Sequence, residues 1–277
     1  MTPKISDTSD LARLIEEFEY QDGAPQLIRT VWVAFDDDDN AFFGQKKVRK
    51  YDISLEQFEQ GFEPIPDDWA FPEYSEDLTV APNDGIVSDG LYLKRPNISL
   101  FDPDDVDKYL PTTPRLCREE AVIMETLLLR NPHPNIVRYH GCRVRRNRVT
   151  GLLLDAYSTD LNALESDKAL LESIDRTAFV AGIESAIAHL HSLGLAHNDL
   201  NPANIMLGKS GEPILIDFDS CRPFGERLLS GGTRGWIDEK LKTSEKENDL
   251  AAIPKIVKWL EDLSQGVKKE REPYPPR

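Results

Sequence analysis

The spacing of apolar residues predicts the first element of the chain. In SDLARLIEEFEY, residues 9–20, a Ser/Asp cap is followed by residues that would share one helical face, namely Leu11, Leu14, Ile15 and Phe18. We expect this helix to pack on the remainder of the fold, with binding to a partner protein as the alternative.

A hairpin is predicted next. LIRTVWVAF, residues 27–35, is an apolar run typical of a strand, DDDDN, residues 36–40, is a charged turn, and FFGQKKVRKYDI, residues 42–53, is a possible return strand. The stretch 63–77, rich in proline and acidic residues, predicts a connector along the surface.

The middle of the chain carries two further patterns. CREEAVIMETLLL, residues 117–129, places Ala121, Met124 and Leu128 on one face and therefore predicts a helix. CRVRRNRVTG, residues 142–151, is the basic cluster of the chain, and we expect a hairpin whose arginines face water.

Composition narrows the possible partners. The chain has 49 acidic and 33 basic residues and a formal net charge of −16, which disfavours binding to nucleic acid or to anionic membrane. Its three scattered cysteines, Cys117, Cys142 and Cys221, are typical of reduced thiols in an intracellular protein. With no signal peptide or apolar stretch of membrane-spanning length, we expect a cytoplasmic or nuclear protein without a membrane partner.

The candidate chemistry lies in HNDLNPANIML, residues 197–207, and in the strand-like ILIDFDS that follows. Phosphoryl transfer from ATP needs one carboxylate to orient the attacking hydroxyl, and a carboxylate with an amide oxygen to hold magnesium against the phosphates. Asp199 fits the first role, and Asn204 with Asp217 fits the second. His197 is expected to pack and to hydrogen-bond the loop rather than react.

These motifs resemble the eukaryotic protein kinase family, in particular fungal kinase-like proteins with HNDxNPxNIM and IDFDS. LYLKRP places Lys94 where the family has the strand lysine that contacts the nucleotide phosphates. The resemblance implies Glu120 as its ion-pair partner in the helical segment 117–129, with Glu119 as the alternative.

The resemblance also implies an adenine site. GLLLDAY, residues 151–157, is similar to the family's fifth strand and hinge, with Leu154 as gatekeeper. The backbones of Asp155 and Tyr157 would then meet adenine, and Met206 is the remaining residue implied at the nucleotide. ATP and magnesium are therefore the expected cofactors.

Other segments extend the resemblance to the fold. HPNIVRYHG, residues 133–141, is similar to the segment that leads into the fourth strand, GGTRGW to the end of an activation segment, and Asp249 to the aspartate that opens a large helix. This helix should end near Leu260, before a frayed tail that ends in EPYPPR. The implied fold is α+β and two-lobed, with a β-rich N-lobe containing one helix and a truncated, mainly helical C-lobe. The implied boundaries are an extension at 1–77, packed on or extending the N-lobe, an N-lobe at 78–155 and a C-lobe at 156–277.

Several departures affect the nucleotide half of the site. No GxGxxG precedes Lys94, so the backbone cradle for the phosphates has no sequence signal, and the hairpin within residues 27–53 could extend or replace its strands. Tyr92 replaces the small alanine that roofs adenine and has the size to fill the pocket. Asp219 replaces the glycine of DFG, which restricts the backbone freedom glycine would supply.

The catalytic loop departs as well. Asn198 replaces the arginine that pairs with a phosphorylated activation loop, and Asn201 replaces the lysine that contacts the transferring phosphate in serine/threonine kinases. Arg222 and Arg234 are candidates for the missing cation, although a solvated charge is the expected interpretation of each.

Three functions follow from this combination. The first is an ATP-dependent kinase, of the serine/threonine type in preference, that transfers the γ-phosphate to a hydroxyl-bearing acceptor, with a protein acceptor favoured. The second is a pseudokinase that serves as a binding or scaffold module. The third is a small-molecule kinase of the aminoglycoside or choline kinase type.

Overall fold

A four-stranded antiparallel sheet opens the computed structural model, which describes residues 2–21, 24–98, 112–228, 232–238 and 242–267. Its strands lie side by side in chain order: β1 (Arg13–Gln21), β2 (Ala24–Phe35), β3 (Ala41–Lys46) and β4 (Glu63–Pro64). The predicted strand, charged turn and return strand are present, and the return strand ends at Lys46, opposite Thr30 of β2.

The helix predicted at residues 9–20 is wrong. Apart from a short 3-10 turn at Thr8–Asp10, this segment forms β1, which pairs with β2 along its length with a bulge between Glu17 and Phe18. Leu14 packs into the cluster around Trp32, whereas the adjacent Ile15 packs on the opposite face of the sheet. A helix would place these two neighbours together, so pairing with β2 overrides the helical spacing.

Each face of this first sheet has its own core. One cluster centres on Trp32, whose indole stacks edge-on against Phe58 of α1 (Leu55–Gln60) at 5.0 Å and donates to the Phe58 carbonyl. The other includes Phe71, which follows α2 (Asp67–Ala70), and reaches Ile98 in the next part of the chain. The sheet is therefore a packed layer in its own right.

A second sheet has the order β5 (Leu91–Lys94), β7 (Arg148–Asp155), β6 (Tyr139–Arg145). The predicted helix is present as α3 (Thr112–Ile123) and continues as a π-helical turn, Met124–Leu128. Its predicted inner face is buried. Within the described residues, β5 pairs only with β7, so the earlier hairpin does not extend this sheet.

The second half of the chain is mainly helical. Its elements are α4 (Lys168–Ser173), α5 (Arg176–Ser192), β8 (Leu195–Ala196), β9 (Ile205–Leu207), β10 (Pro213–Leu215), β11 (Arg222–Pro223) and α6 (Lys246–Ser264). The largest hydrophobic core joins α5 and α6 to the second sheet. No helix in the described part of the chain is both long and apolar enough to cross a membrane. The tail that ends in EPYPPR lies outside the described residues.

The arginines of the β6–β7 hairpin do not face water as expected. Arg143 Nε lies 2.7 Å from Asp39 Oδ2, and the Arg146 guanidinium binds the Asp67 carboxylate at 2.7 Å. Both acids belong to the N-terminal part of the chain. Charge pairing across this contact, which the separate sequence segments did not reveal, therefore joins the two sheets.

The predicted connector at residues 63–77 contains β4 and α2, and the segment at residues 72–81, called the connector below, also lies against this hairpin. Val149 N donates to Pro72 O, Cys142 N donates to Thr79 O at 2.7 Å, and Ala81 N returns a bond to Cys142 O. The connector thus supplies backbone partners to the second sheet. The division of the chain at residues 77/78 and 155/156 stays a prediction.

Replacement of Trp32 by alanine tests the first core. Because the indole is buried and would leave a cavity, we expect Trp32→Ala to lower the free energy of unfolding by about 3–5 kcal/mol, measured by urea denaturation. Tyr51→Ala, at a side chain that is 82% exposed, is the control and should change it by less than about 0.5 kcal/mol. Equal effects of the two substitutions would contradict this packing.

Candidate active site

Lys94, at the end of β5, is the centre of the candidate site. Its Nζ lies 2.6 Å from Glu120 Oε1 and 2.5 Å from Asp217 Oδ1. The Phe218 N–H donates to the same Glu120 oxygen at 3.1 Å. The structure therefore brings together three residues that are far apart in the sequence.

The charge of Lys94 is strongly favoured at this position. Burial of the ammonium opposes its charge, but the carboxylates of Glu120, Asp217 and Asp219 outweigh burial and raise the pKa of Lys94. The same Lys94 ammonium lowers the pKa of Asp217 against the effect of its burial. Lys94 is consequently a cation at any physiological pH.

Glu119, the alternative partner, points elsewhere. Its carboxylate lies 2.7 Å from Arg115 and 2.8 Å from Arg222. Arg222 is buried and also donates to the carbonyls of Asp219 and Cys221. The interpretation of Arg222 as a solvated charge is therefore wrong, because it links the segment after Asp217 to α3.

The hydrogen bonds of the buried Asn198 side chain explain why asparagine, and not arginine, occupies this position. The residue is 1% exposed, with a φ of 64°. Its amide nitrogen donates to the carbonyls of Ala196 and Ser220 and to Ser244 Oγ, at 2.9–3.0 Å. A longer arginine side chain does not fit this enclosed network.

Asp249, in the first turn of α6, anchors the loop from the other side. Its carboxylate accepts the backbone N–H groups of His197 and Asn198 at 2.9 and 2.8 Å, and it also binds His191. His197 is buried, and its Nε2 bonds the carbonyl of Ile216 at 3.0 Å. His197 thus holds the loop through packing and hydrogen bonds.

The Asp199 carboxylate lies at the centre of the loop. Oδ1 accepts from Thr233 N at 2.7 Å, and Oδ2 accepts from Thr233 Oγ1 at 3.2 Å and from Asn204 Nδ2 at 3.1 Å. Asn201 Nδ2 donates to Thr233 Oγ1 at 3.1 Å. Thr233 was not predicted from the sequence, although it is the threonine of GGTRGW and this motif is the signal for it.

Asp219 does not strain the backbone in place of glycine. The left-handed conformation falls on Asp217, with a φ of 63°, and Asp219 is outside that region. The Asp219 side chain accepts from Ser220 Oγ at 3.1 Å, and burial and the nearby Asp217 charge raise its pKa. The expected cost of a Cβ at residue 219 is therefore absent.

The donor set suits a hard cation. Asn204 and Asp217 lie side by side at the ends of β9 and β10, since Ile216 N donates to Asn204 O. An amide oxygen and a carboxylate are oxygen ligands of the type that magnesium prefers, and magnesium takes its remaining ligands from water and phosphate. The residues present fit this ion.

The predicted adenine residues are placed at the junction of β7 and the following segment. Leu154 is buried, and the Asp155 carboxylate binds His140 Nε2 at 2.7 Å. Asp155 and Tyr157 line a cavity of about 550 Å³ beside the π-helical turn. Met206 is half-buried on β9.

Tyr92 does not pack into the interior. Its side chain is 55% exposed, and it lies opposite Leu154 in the ladder, on the same face of β5 as Lys94. The phenol is therefore an exposed group at this face rather than part of the core.

Comparison with known proteins finds similarity to protein kinases. The protein kinase domain model matches residues 106–239, which contain Glu120, Asp199, Asn204 and Asp217. MAP kinase kinase kinase SSK2 of Saccharomyces cerevisiae is 26% identical over 163 residues, 59% of this chain and 10% of that protein. Serine/threonine-protein kinase/endoribonuclease IRE1 of Hypocrea jecorina is 33% identical over 149 residues, 47% of this chain and 12% of that protein.

A third relative is serine/threonine-protein kinase TAO1-B of Xenopus laevis, which is 31% identical over 119 residues, 43% of this chain and 12% of that protein. The chain thus spans 10% to 12% of the length of these relatives. Residues 106–239 match a protein kinase domain, the α+β fold is kinase-like, and the chain is similar to serine/threonine kinases. Lys94 lies before the matched residues, so its place in the site depends on the contacts described above.

The Asn198 network predicts a specific loss of stability. Asn198→Gly keeps the positive φ but removes the buried hydrogen bonds, so we expect the free energy of unfolding to fall by about 2–3 kcal/mol. Asn147→Gly is the matched control, since Asn147 has a φ of 59° in an exposed turn. Urea denaturation of both variants is the measurement, and an unchanged Asn198→Gly midpoint would exclude a stabilising role for this network.

Proposed function

We propose that this chain binds Mg-ATP and transfers the γ-phosphate to a hydroxyl group of a protein, as serine/threonine kinases do. The observation that carries the proposal is the position of Lys94 between Glu120 and Asp217. Asn204 donates to Asp199, and the Asn204 carbonyl accepts from Ile216, the residue before Asp217. Phosphoryl transfer needs a cation for the phosphates, oxygen ligands for the metal and a carboxylate for the acceptor hydroxyl. These three groups lie together here.

In this proposal Lys94 holds the nucleotide phosphates. Glu120 fixes the direction of the lysine side chain and neutralises part of its charge when the phosphates leave. Asp217 Oδ1, which now contacts Lys94, is the oxygen that changes partner when phosphate enters. Lys94 needs no proton transfer, because its raised pKa keeps it charged.

Asp199 orients the acceptor hydroxyl. Its two oxygens are aligned by Thr233 and Asn204, which restricts the carboxylate to one direction. Asn201 holds Thr233 in place from the other side. Positioning of a hydroxyl by a fixed carboxylate is the main contribution a protein can make to this reaction.

Asn204 and Asp217 would hold magnesium. When bound there, the ion would neutralise charge on the phosphate oxygens. The buried backbone of His197 and Asn198, anchored by Asp249, keeps the loop that bears Asn204 in place.

The backbones of Asp155 and Tyr157 and the side chain of Met206 are proposed to contact adenine. Both Asp155 and Tyr157 also line the cavity beside the π-helical turn. Tyr92, exposed on the Lys94 face of β5, would lie over the nucleotide rather than fill its site.

A second candidate is a nucleotide-binding module without turnover. Two observations favour it: Thr233 donates to both oxygens of Asp199, and within the described residues no strand pairs with the outer edge of β5. An acceptor hydroxyl would have to compete with Thr233, and no strand pair closes over the phosphates.

The change in melting temperature on addition of Mg-ATP tests whether the chain binds nucleotide. A ligand at about a hundred times its dissociation constant stabilises the native state by roughly 2.7 kcal/mol, which should raise Tm by roughly 5–10 °C in a chain of this size. We expect wild type to shift with Mg-ATP, and Asp217→Asn to lose the part of the shift that depends on magnesium. Asp68→Asn, at an exposed acid, should behave as wild type.

Transfer is then measured with radiolabelled ATP and protein acceptors. Asp199→Asn should keep the Mg-ATP shift but lose transfer by about a hundredfold or more. No Tm shift of wild type with any nucleotide contradicts the proposal. A shift without transfer to any protein identifies the second candidate, unless small hydroxyl compounds accept the phosphate.

A further inference from the structure

Arg95, the residue after Lys94, and Glu125, five residues after Glu120, both contact residues that precede Leu91. We propose that the N-terminal region, residues 2–81, contains positioning residues for this ion pair, with Asp39 acting on Lys94 and Thr79 acting on Glu120. The inference rests on the proposed function, because it assigns to this region the task of placing the phosphate-binding lysine.

Asp39 acts at the end of β5. Its carboxylate is fully buried and lies 2.6 Å from Arg95, 2.7 Å from Arg143 and 2.8 Å from Thr150 Oγ1. Arg95 directly follows Lys94, and its guanidinium also lies 4.4 Å from the ring centre of Phe35. The charged turn after β2 therefore holds the residue next to Lys94 on two sides.

A buried carboxylate between two guanidinium groups is a demanding arrangement. Its desolvation is compensated only while both arginines stay in contact, so the carboxylate, Arg95 and Arg143 must keep one geometry. Since Arg143 and Thr150 belong to β6 and β7, Asp39 fixes the end of β5 relative to the sheet.

The connector acts on α3 and its π-helical extension. Arg118 Nη1 donates to Ser75 Oγ at 2.7 Å. Glu125 accepts from Thr79 N at 2.9 Å and from Thr79 Oγ1 at 2.6 Å. Glu120 lies between Arg118 and Glu125 in the sequence, so the helical segment is held on both sides of it.

α2 also lies against α3. The same connector residue, Thr79, accepts the Cys142 N–H through its carbonyl, so it joins α3 to β6. The helix that carries Glu120 and the sheet that carries Lys94 are thereby held by one segment.

These contacts would compensate for the glycine-rich motif that the sequence lacks before Lys94. Within the described residues β5 is an edge strand of four residues with β7 as its sole ladder partner. An edge strand of this length is weakly positioned by its own backbone. The contacts of Asp39 and Thr79 supply the missing constraint from outside the sheet.

Comparison of ATP with adenosine in the full chain tests the assignment. Lys94 would contact phosphate, which adenosine lacks. Displacement of the lysine should therefore weaken the binding of Mg-ATP and leave the binding of adenosine unchanged. We expect Asp39→Asn to weaken Mg-ATP by about tenfold or more by calorimetry, while the adenosine Kd changes by less than about twofold.

Asp67→Asn is the matched control. Asp67 is also an acid of the N-terminal region bound to an arginine of the β6–β7 hairpin, but its partner is Arg146 at the hairpin turn. It should change neither Kd. If Asp39→Asn loses affinity for both ligands in the same proportion, or loses affinity for neither, the inference is overturned.

Thr79→Val provides a second variant that should fold. Thr79 is exposed, and valine keeps its shape and backbone while it removes the hydroxyl bond to Glu125. It should show the same selective loss for Mg-ATP, by about threefold or more. If Asp39→Asn is unfolded by circular dichroism, this variant decides the outcome alone.

Acylation of Lys94 separates failure of the inference from failure of the proposed function. The rate of modification by acetic anhydride at fixed pH, followed by mass spectrometry, reports how well Glu120 and Asp217 enclose the ammonium and needs no nucleotide. Asp39→Asn and Thr79→Val should accelerate it by about threefold or more, and Asp67→Asn should not. If wild type binds no nucleotide but acylation follows this pattern, only the proposed function fails.

Discussion

The position of one ammonium group constrains most of this structure. Lys94 Nζ contacts a helix through Glu120 and the segment after β10 through Asp217, so three distant segments must meet at one point. A largely buried cation requires such compensation, because water solvates it only in part. The Glu119–Arg222 pair adds a second link between the same helix and the segment after Asp217. Neither element can move without exposing a charge to an apolar environment.

The chain has a net charge of −16, but some of its acidic residues pair with arginines at the contact between the two sheets. Acidic residues of the N-terminal sheet meet the arginines of the β6–β7 hairpin, with Asp39 buried between Arg95 and Arg143. The acidic turn at residues 36–40 and the basic hairpin at residues 142–151 each resemble a solvated charge cluster in the sequence. In the structure they form the contact between the two sheets. This contact also reaches the residue beside Lys94, which couples the N-terminal sheet to the candidate active site.

The candidate site was largely predictable where its residues are close in sequence. Asp199 and Asn204 share one short loop, and Asp217 follows on the next strand, so local motifs place them together. Glu120 needed more than spacing, because Glu119 occupies the neighbouring helical position. Their contacts distinguish the two, since Glu120 binds Lys94 whereas Glu119 binds Arg222. Asn198 was recognised as a departure, but its bonds to Ser220 and Ser244 depend on chain segments more than twenty residues away.

The sequence by itself determined the α+β class, the helix that carries Glu120, the loop with Asp199 and Asn204, and the position of Asp217 after the second strand that follows. The helix and the loop follow from local periodicity and motif chemistry, and the α+β class follows from the resemblance of these motifs to protein kinases. Only the tertiary structure decided that residues 13–21 form a strand, that the hairpin arginines bind Asp39 and Asp67, and that Arg222 is buried. Each of these depends on a partner distant in the chain: β2 for the strand, the charged turn for Arg143, and α3 for Arg222. Long-range pairing replaces a local preference when it compensates buried charge or completes a sheet, and no local pattern reveals which partner will do so.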